Sequence, residues 1–199
     1  MKTGVLCTIA LSLCALSVSA QGVNLLTNPG FDTNLDGWTS GNSPVDATFG
    51  WQAEDATGGS GSALITNTTP SGSNGIGLKQ CIPVTAGRSY SWSGMLRIPP
   101  GQAAVGWTSV NVHWMGDLLC AGSIGYGPIA TSSLEDPLTT WSFREKIGEI
   151  APIGAVAARV YVLNGKYDDP DDFVTMADDV SFSADTIFSD GFEDGSTDA

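Results

Sequence analysis

Short runs in which apolar and polar side chains alternate recur along the chain, each bounded by Gly, Pro, Asn or Ser, and no helical stripe, heptad or internal repeat interrupts them. A period of two is the signature of β-strands, whose successive side chains point to opposite faces. Strands are predicted at 47–53, 62–67, 77–82, 89–98, 104–115, 140–150, 157–163 and 174–183. A single sheet of that many strands would leave one apolar face in water. The pattern therefore predicts an all-β fold: a two-sheet antiparallel β-sandwich of jelly-roll type, in a single domain.

The same alternation assigns faces. In 89–98, Tyr90, Trp92, Gly94, Leu96 and Ile98 form the core set, and Ser91, Ser93, Met95 and Arg97 the mostly polar set. In 104–115, Val110, Val112 and Trp114 share one side, while Trp107, Ser109, Asn111 and His113 share the other. In 157–163, Val160 and Val162 oppose Arg159, Tyr161 and Leu163, a less decisive division. Trp38, Trp92, Trp114 and Trp141 are assigned to packing.

Composition adds compartment and charge. Residues 1–20 read as a secretory signal, with Lys2, an apolar stretch and a small-x-small site ending at Ala20. The expected product is secreted, beginning at Gln21, with a sandwich over 21–184 and an acidic flexible tail over 185–199. No segment has the run of about 18 apolar residues a membrane span needs. Of the 4 Cys, Cys7 and Cys14 leave with the signal. Cys81 and Cys120 remain as a pair in an oxidising compartment and are predicted to be bridged, a loop closure worth at most about 4 kcal/mol. The chain has 8 Lys and Arg against 21 Asp and Glu, a formal charge of -13. So few cations argue against a polyanion partner, nucleic acid included, and against an anionic membrane surface.

An aromatic plate among hydrogen-bonding groups on the outer face of a sheet suits sugar recognition, because the apolar side of a pyranose stacks on the ring while polar side chains bond its hydroxyls. Trp107, Arg97, Asn111 and His113 form such a group, and Trp51, Tyr126 and Tyr167 are candidates to line the same groove. An ordinary solvated face, with Trp107 covered by a loop, fits the pattern equally well.

Two acidic groups stand out. In 174–183, Asp178 shares the parity of Val174, Met176, Val180 and Phe182, which puts a carboxylate on the core side of a strand. A buried carboxylate must be paired or bound to a cation. With Lys and Arg scarce, extracellular Ca²⁺ is the candidate, and Asp32 would supply a second carboxylate if the first and last strands are neighbours. Backbone N–H donors at a sheet end would satisfy Asp178 as well. The Asp168, Asp169, Asp171 and Asp172 run reads as solvated turn charge or a second, weaker Ca²⁺ site. It lacks the EF-hand spacing.

Searches for catalytic constellations fail. There is no Gly-x-Ser-x-Gly, His113 is the chain's single histidine and has no zinc-motif partner, and no strand carries a glycosidase carboxylate motif. The chain is expected not to be an enzyme, with an unrecognised polysaccharide-degrading hydrolase or lyase as the remaining alternative.

The opening NLLTNPGFDTNLDGW resembles the N-terminal signature of the secreted jelly-roll carbohydrate-binding modules of families 4, 9 and 22, within the galactose-binding-like β-sandwich superfamily. In order, GGSGSALIT, LKQCIPVTAGRSYSWSGMLR, TTWSFREKI and ADDVSFS resemble the family's later strands, so the likeness runs from about Asn24 to Ser183. It implies a non-catalytic, glycan-binding module with a structural Ca²⁺, held by the acidic residue after Gly-Phe and by an Asp of the closing strand. These map to Asp32, in place of the commoner Glu, and to Asp178 or Asp179, with parity favouring Asp178. Relatives of this fold also serve in surface and adhesion proteins, so other secreted or surface proteins are the alternative partners. The tail segment IFSDGFEDG resembles one found on many secreted bacterial proteins.

Overall fold

The computed structural model describes residues 22–41, 46–59, 61–70, 75–127, 140–167 and 169–185. The signal segment with Cys7 and Cys14, Asp168, and the tail from 186 onward lie outside the described residues. Among the described residues ten strands form two antiparallel sheets: β1 (Thr39–Ser40), β2 (Ala47–Gln52), β3 (Ser62–Asn67), β4 (Gly75–Pro83), β5 (Ser89–Arg97), β6 (Gly106–Met115), β7 (Ser123–Tyr126), β8 (Ser142–Ile150), β9 (Ala157–Lys166) and β10 (Phe173–Ala184). The first sheet has the order β1-β4-β9-β6-β7 and the second β2-β3-β10-β5-β8. Apart from the β2-β3 and β6-β7 hairpins, sequence neighbours thus lie in opposite layers, as in a jelly roll. The described residues contain no helix long and apolar enough to cross a membrane.

The core is built as alternation requires. From the first sheet come Leu78, Val110, Val112, Trp114, Val160 and Val162; from the second, Ile65, Tyr90, Trp92, Leu96, Val180 and Phe182, all buried in one cluster. Tyr90 stacks on Phe182, with centroids 5.2 Å apart and planes 1° apart, and Trp92 meets Trp114 edge-on at 6.3 Å. Such aromatic pairs add to area burial because ring edges and faces carry opposite partial charge. Trp38 is buried against Phe31, whereas Trp141 is half-buried just before β8.

Two short strands escaped the sequence pattern. β1 has two residues and β7 runs Ser-Ile-Gly-Tyr, both sheet edges too brief to show a period. Just after β10, the Asp185 carboxylate accepts from the Ser89 and Ser91 hydroxyls and its N–H donates to the Ser89 carbonyl.

Register shifts occur in the β5–β8 and β6–β7 pairs and in β10, and the one in β10 bears on the acidic residues. Ala177 pairs with Leu96 and Asp178 with Met95, but Ser181 pairs with Ser93, so one extra residue enters between Asp178 and Ser181. Asp179 there has φ 46°, the left-handed conformation of a bulged position. Phe173, Thr175 and Ala177 consequently face the core before the bulge, and Val180 and Phe182 after it. Asp178 lies on the outer side of the second sheet, beside Met95, and not on the core side that uninterrupted alternation gives.

The predicted bridge is present: Cys81 on β4 is joined to Cys120, 39 positions later, with the Cα atoms 6.0 Å apart. It ties the 116–122 loop to the outer side of the first sheet. Removing the bridge by Cys81→Ser with Cys120→Ser should lower the unfolding free energy by about 2–4 kcal/mol, read from denaturant melts. Equal stability would show that the loop is held without it.

Candidate functional site

Ladder register places the outer residues of the first sheet in rows. One row across β6, β9 and β4 is Trp107, Gly165, Gly75; the next is Ser109, Leu163, Gly77; the third is Asn111, Tyr161, Lys79. The fourth is His113, Arg159, Cys81, extended by Tyr126 of β7. Alternate residues of a strand lie about 7 Å apart, so the face is about 20 Å long from Trp107 to His113.

At one end lies an indole. A Cβ on Gly165 would come within 1.9 Å of Trp107 Cε2, and one on Gly75 within 3.3 Å of its Cη2. The ring therefore lies across β9 and β4, in space that exists because two facing residues have no side chains. At the other end, the His113 ring packs at 4.6 Å from Tyr126 and at 4.8 Å from Tyr161. Arg159 donates from Nη1 to the Tyr161 hydroxyl at 2.7 Å. Tyr126 is 74% exposed. Burial first, and then the Arg159 charge, lowers the His113 pKa from its ordinary value, so the ring is neutral at pH 7.

Between the two ends lie polar atoms without partners. Ser109 Oγ, Asn111 Oδ1 and Arg159 Nε are buried from solvent yet make no hydrogen bond within the protein. Such atoms are costly unless a ligand or water meets them. The face thus offers a flat apolar plate followed by unspent hydrogen-bonding capacity.

The candidates read from the sequence divide between the two sheets. Trp107, Asn111, His113 and Tyr126 share this face. Arg97 does not: it lies on β5 of the opposite sheet and forms an ion pair with Glu54. Trp51 sits on β2, also in the opposite sheet, and its indole N–H donates to the Phe31 carbonyl at 2.6 Å. Tyr167 follows the end of β9 near the Trp107 row, its N–H bonded to the Val105 carbonyl. Lys79, Arg159 and Tyr161 belong to the face but were not singled out in the sequence. Alternation in 157–163 left the side of Arg159 and Tyr161 undecided, and the placing of Lys79 depends on which strands pair.

The acidic site is on the other sheet. Asp178 is 1% exposed, and its oxygens accept from the N–H of Ala56 at 2.8 Å and of Asp179 at 2.7 Å. Burial, opposed by these bonds and reinforced by the Asp179 and Asp55 charges, pushes its pKa up to about 6. Asp32 is exposed, in a turn whose neighbour Pro29 accepts from Val180 N–H of β10; its own N–H donates to Asn28 Oδ1. Asp179 is exposed. Among the described residues no three His, Cys, Asp or Glu side chains converge as a metal-binding group.

No family model and no curated protein matches the chain. Solved structures do. The xylan-binding CBM22-1 domain of Paenibacillus barcinonensis Xyn10C superposes with a TM-score of 0.56 at 16% identity, over 84% of this chain and 97% of that one. A second xylan-binding domain from CBM22 gives 0.56 at 18% identity, over 83% and 99%. The chain has the jelly-roll fold of carbohydrate-binding modules. Enzymes contain it as a part: in the arabinose-bound MgGH51 α-L-arabinofuranosidase the match has a TM-score of 0.61 at 14% identity, over 85% of this chain and 28% of that one. In the tailspike protein 4 of bacteriophage CBA120 it covers 21% of the larger chain.

Asp178 makes stability depend on pH. Its pKa is raised from 3.8 to about 6 on folding, so between these values the folded state binds more protons than the unfolded state. Its contribution therefore weakens as pH rises through that window. In EDTA, the melting temperature of wild type minus that of Asp178→Asn should be more positive at pH 4.5 than at pH 7. A difference independent of pH would show that the carboxylate is not held in this way.

Proposed function

We propose that the chain is a secreted, non-catalytic module that binds a polysaccharide or glycan on the outer face of the β4-β9-β6-β7 sheet. The observation that carries this reading is the Trp107 plate, seated over Gly165 and Gly75 and followed along the face by the unpartnered Ser109, Asn111 and Arg159 atoms. A pyranose stacks its C–H face on such a ring, and its hydroxyls supply the donors and acceptors those atoms lack. The fold shared with two xylan-binding domains supports the reading. Affinity electrophoresis on a broad glycan panel tests it. Wild type should be retarded by at least one glycan, and Trp107→Ala should weaken that retardation about tenfold or more, the loss expected when a stacking ring is removed. No retardation on any glycan would favour a surface or matrix protein that uses the sandwich for protein contacts.

We assign Ca²⁺ a structural role beside Asp178. The support is electrostatic: a buried carboxylate partnered by N–H groups, with Asp179 and Asp55 adding like charge, has unspent capacity for a hard cation. Asp178 and Asp32 would contribute carboxylate oxygens, with backbone carbonyls and Asp179 or Asp55 as further oxygen donors. Bound Ca²⁺ would neutralise this cluster and fasten the 28–36 turn to β10. At pH 7, Ca²⁺ should raise the melting temperature of EDTA-treated wild type and leave Asp178→Asn nearly unchanged. Coincident wild-type melts would remove the ion from the account.

A further inference from the structure

The cations of this acidic chain are unevenly placed. Lys79 and Arg159 are diagonal neighbours on β4 and β9, since Lys79 pairs with Tyr161 and Arg159 with Cys81. Diagonal side chains on one face lie about 7–8 Å apart. The ion pairs among the described residues, Arg97 with Glu54 and Lys146 with Glu149, are both on the other sheet or its connecting loop. No carboxylate stands in the four rows of the face: their other members are Trp107, Ser109, Asn111, His113, Leu163, Tyr161, Tyr126, Cys81 and glycines. Asp117, in the bridged loop, feels the Arg159 charge, but its oxygens accept from the N–H of Leu119, Ala121 and Gly122. Burial and the Arg159 charge both lower the Lys79 pKa, so the pair repels, and among the described residues no carboxylate forms an ion pair with either cation.

We propose that Lys79 and Arg159 hold the carboxylate of a uronic acid, and that the glycan is a largely neutral polysaccharide bearing isolated uronic acid residues. Arg159 is suited to this: the Tyr161 hydroxyl holds Nη1 and so orients the guanidinium, whose planar edge matches a planar carboxylate. Sparse charge on the ligand follows from the rest of the chain. A densely charged polymer would be repelled by a chain of formal charge -13, whereas an isolated carboxylate needs one cationic spot. Trp107, three rows away, is placed to stack a neutral unit of the same polymer. This inference rests on the glycan-binding reading above.

The test pairs each acidic glycan with its own neutral form: glucuronoxylan and gum arabic, each before and after chemical reduction of the carboxyl groups, in affinity gels with wild type. The acidic form of at least one should bind about tenfold more tightly than its reduced form, the scale of one charge-assisted hydrogen bond. The preference should shrink in added salt. Lys79→Gln with Arg159→Gln, shown to be folded by near-ultraviolet circular dichroism, should lose it, while Arg88→Gln with Lys146→Gln, which removes equal charge elsewhere, should keep it. Equal wild-type binding to acidic and reduced forms overturns the carboxylate assignment and leaves glycan binding standing. Binding to neither form, nor to any glycan of the broader panel, overturns both. A folded Lys79 and Arg159 variant that retains the preference places the carboxylate elsewhere.

Discussion

A strand in a sandwich has two sides, and burying one frees the other. On β6 and β9 the buried side is Val110, Val112, Trp114, Val160 and Val162, sealed against Tyr90, Trp92, Leu96 and Phe182 of the opposite sheet. Because side chains alternate without exception along both strands, this apolar seam also sets where Trp107, Asn111, His113, Arg159 and Tyr161 point. Sliding either strand by one residue would bury the arginine and expose the valines, at a cost of several buried side chains. The outer face thus needs no separate device to hold its strands in register. Its positions are inherited from the core, and the Cys81–Cys120 bridge then adds a loop at its edge.

How far this could be read in advance depends on whether each feature is local. The runs at 62–67, 89–98 and 104–115 became β3, β5 and β6 with ends shifted by two residues at most, because alternation is written in consecutive positions. Trp107, Asn111 and His113 share one face for the same reason, being on one strand. Arg97 was grouped with them on character alone. Membership of a sheet depends on pairing between distant segments, and Arg97 fell in the other layer. Lys79 is the converse: it joins the face through a partner strand some eighty positions away, which no local pattern could show.

Asp178 shows a subtler failure. Its burial was foreseen, but the side it faces was not, since one residue inserted at Asp179 reverses every assignment on the N-terminal half of β10. Nothing in Ala-Asp-Asp-Val marks a bulge; both aspartates are tolerable there, and the left-handed φ is one that Asp adopts more readily than most residues. The consequence is a separation of charges. Acid collects outside one sheet, around Asp178, Asp179, Asp55 and Glu54, while the unpaired cations Lys79 and Arg159 lie outside the other. The sandwich core stands between them and limits their mutual screening.

The seat of Trp107 has an implication for which positions can vary. Gly165 lacks the positive φ that usually explains a glycine, so its backbone would accept any residue. What forbids a side chain there is a ring anchored on another strand. Two positions, far apart in sequence and unremarkable in conformation, are thus held empty on behalf of a third, and a substitution at Gly165 would act as a lesion in the indole while leaving the indole itself intact.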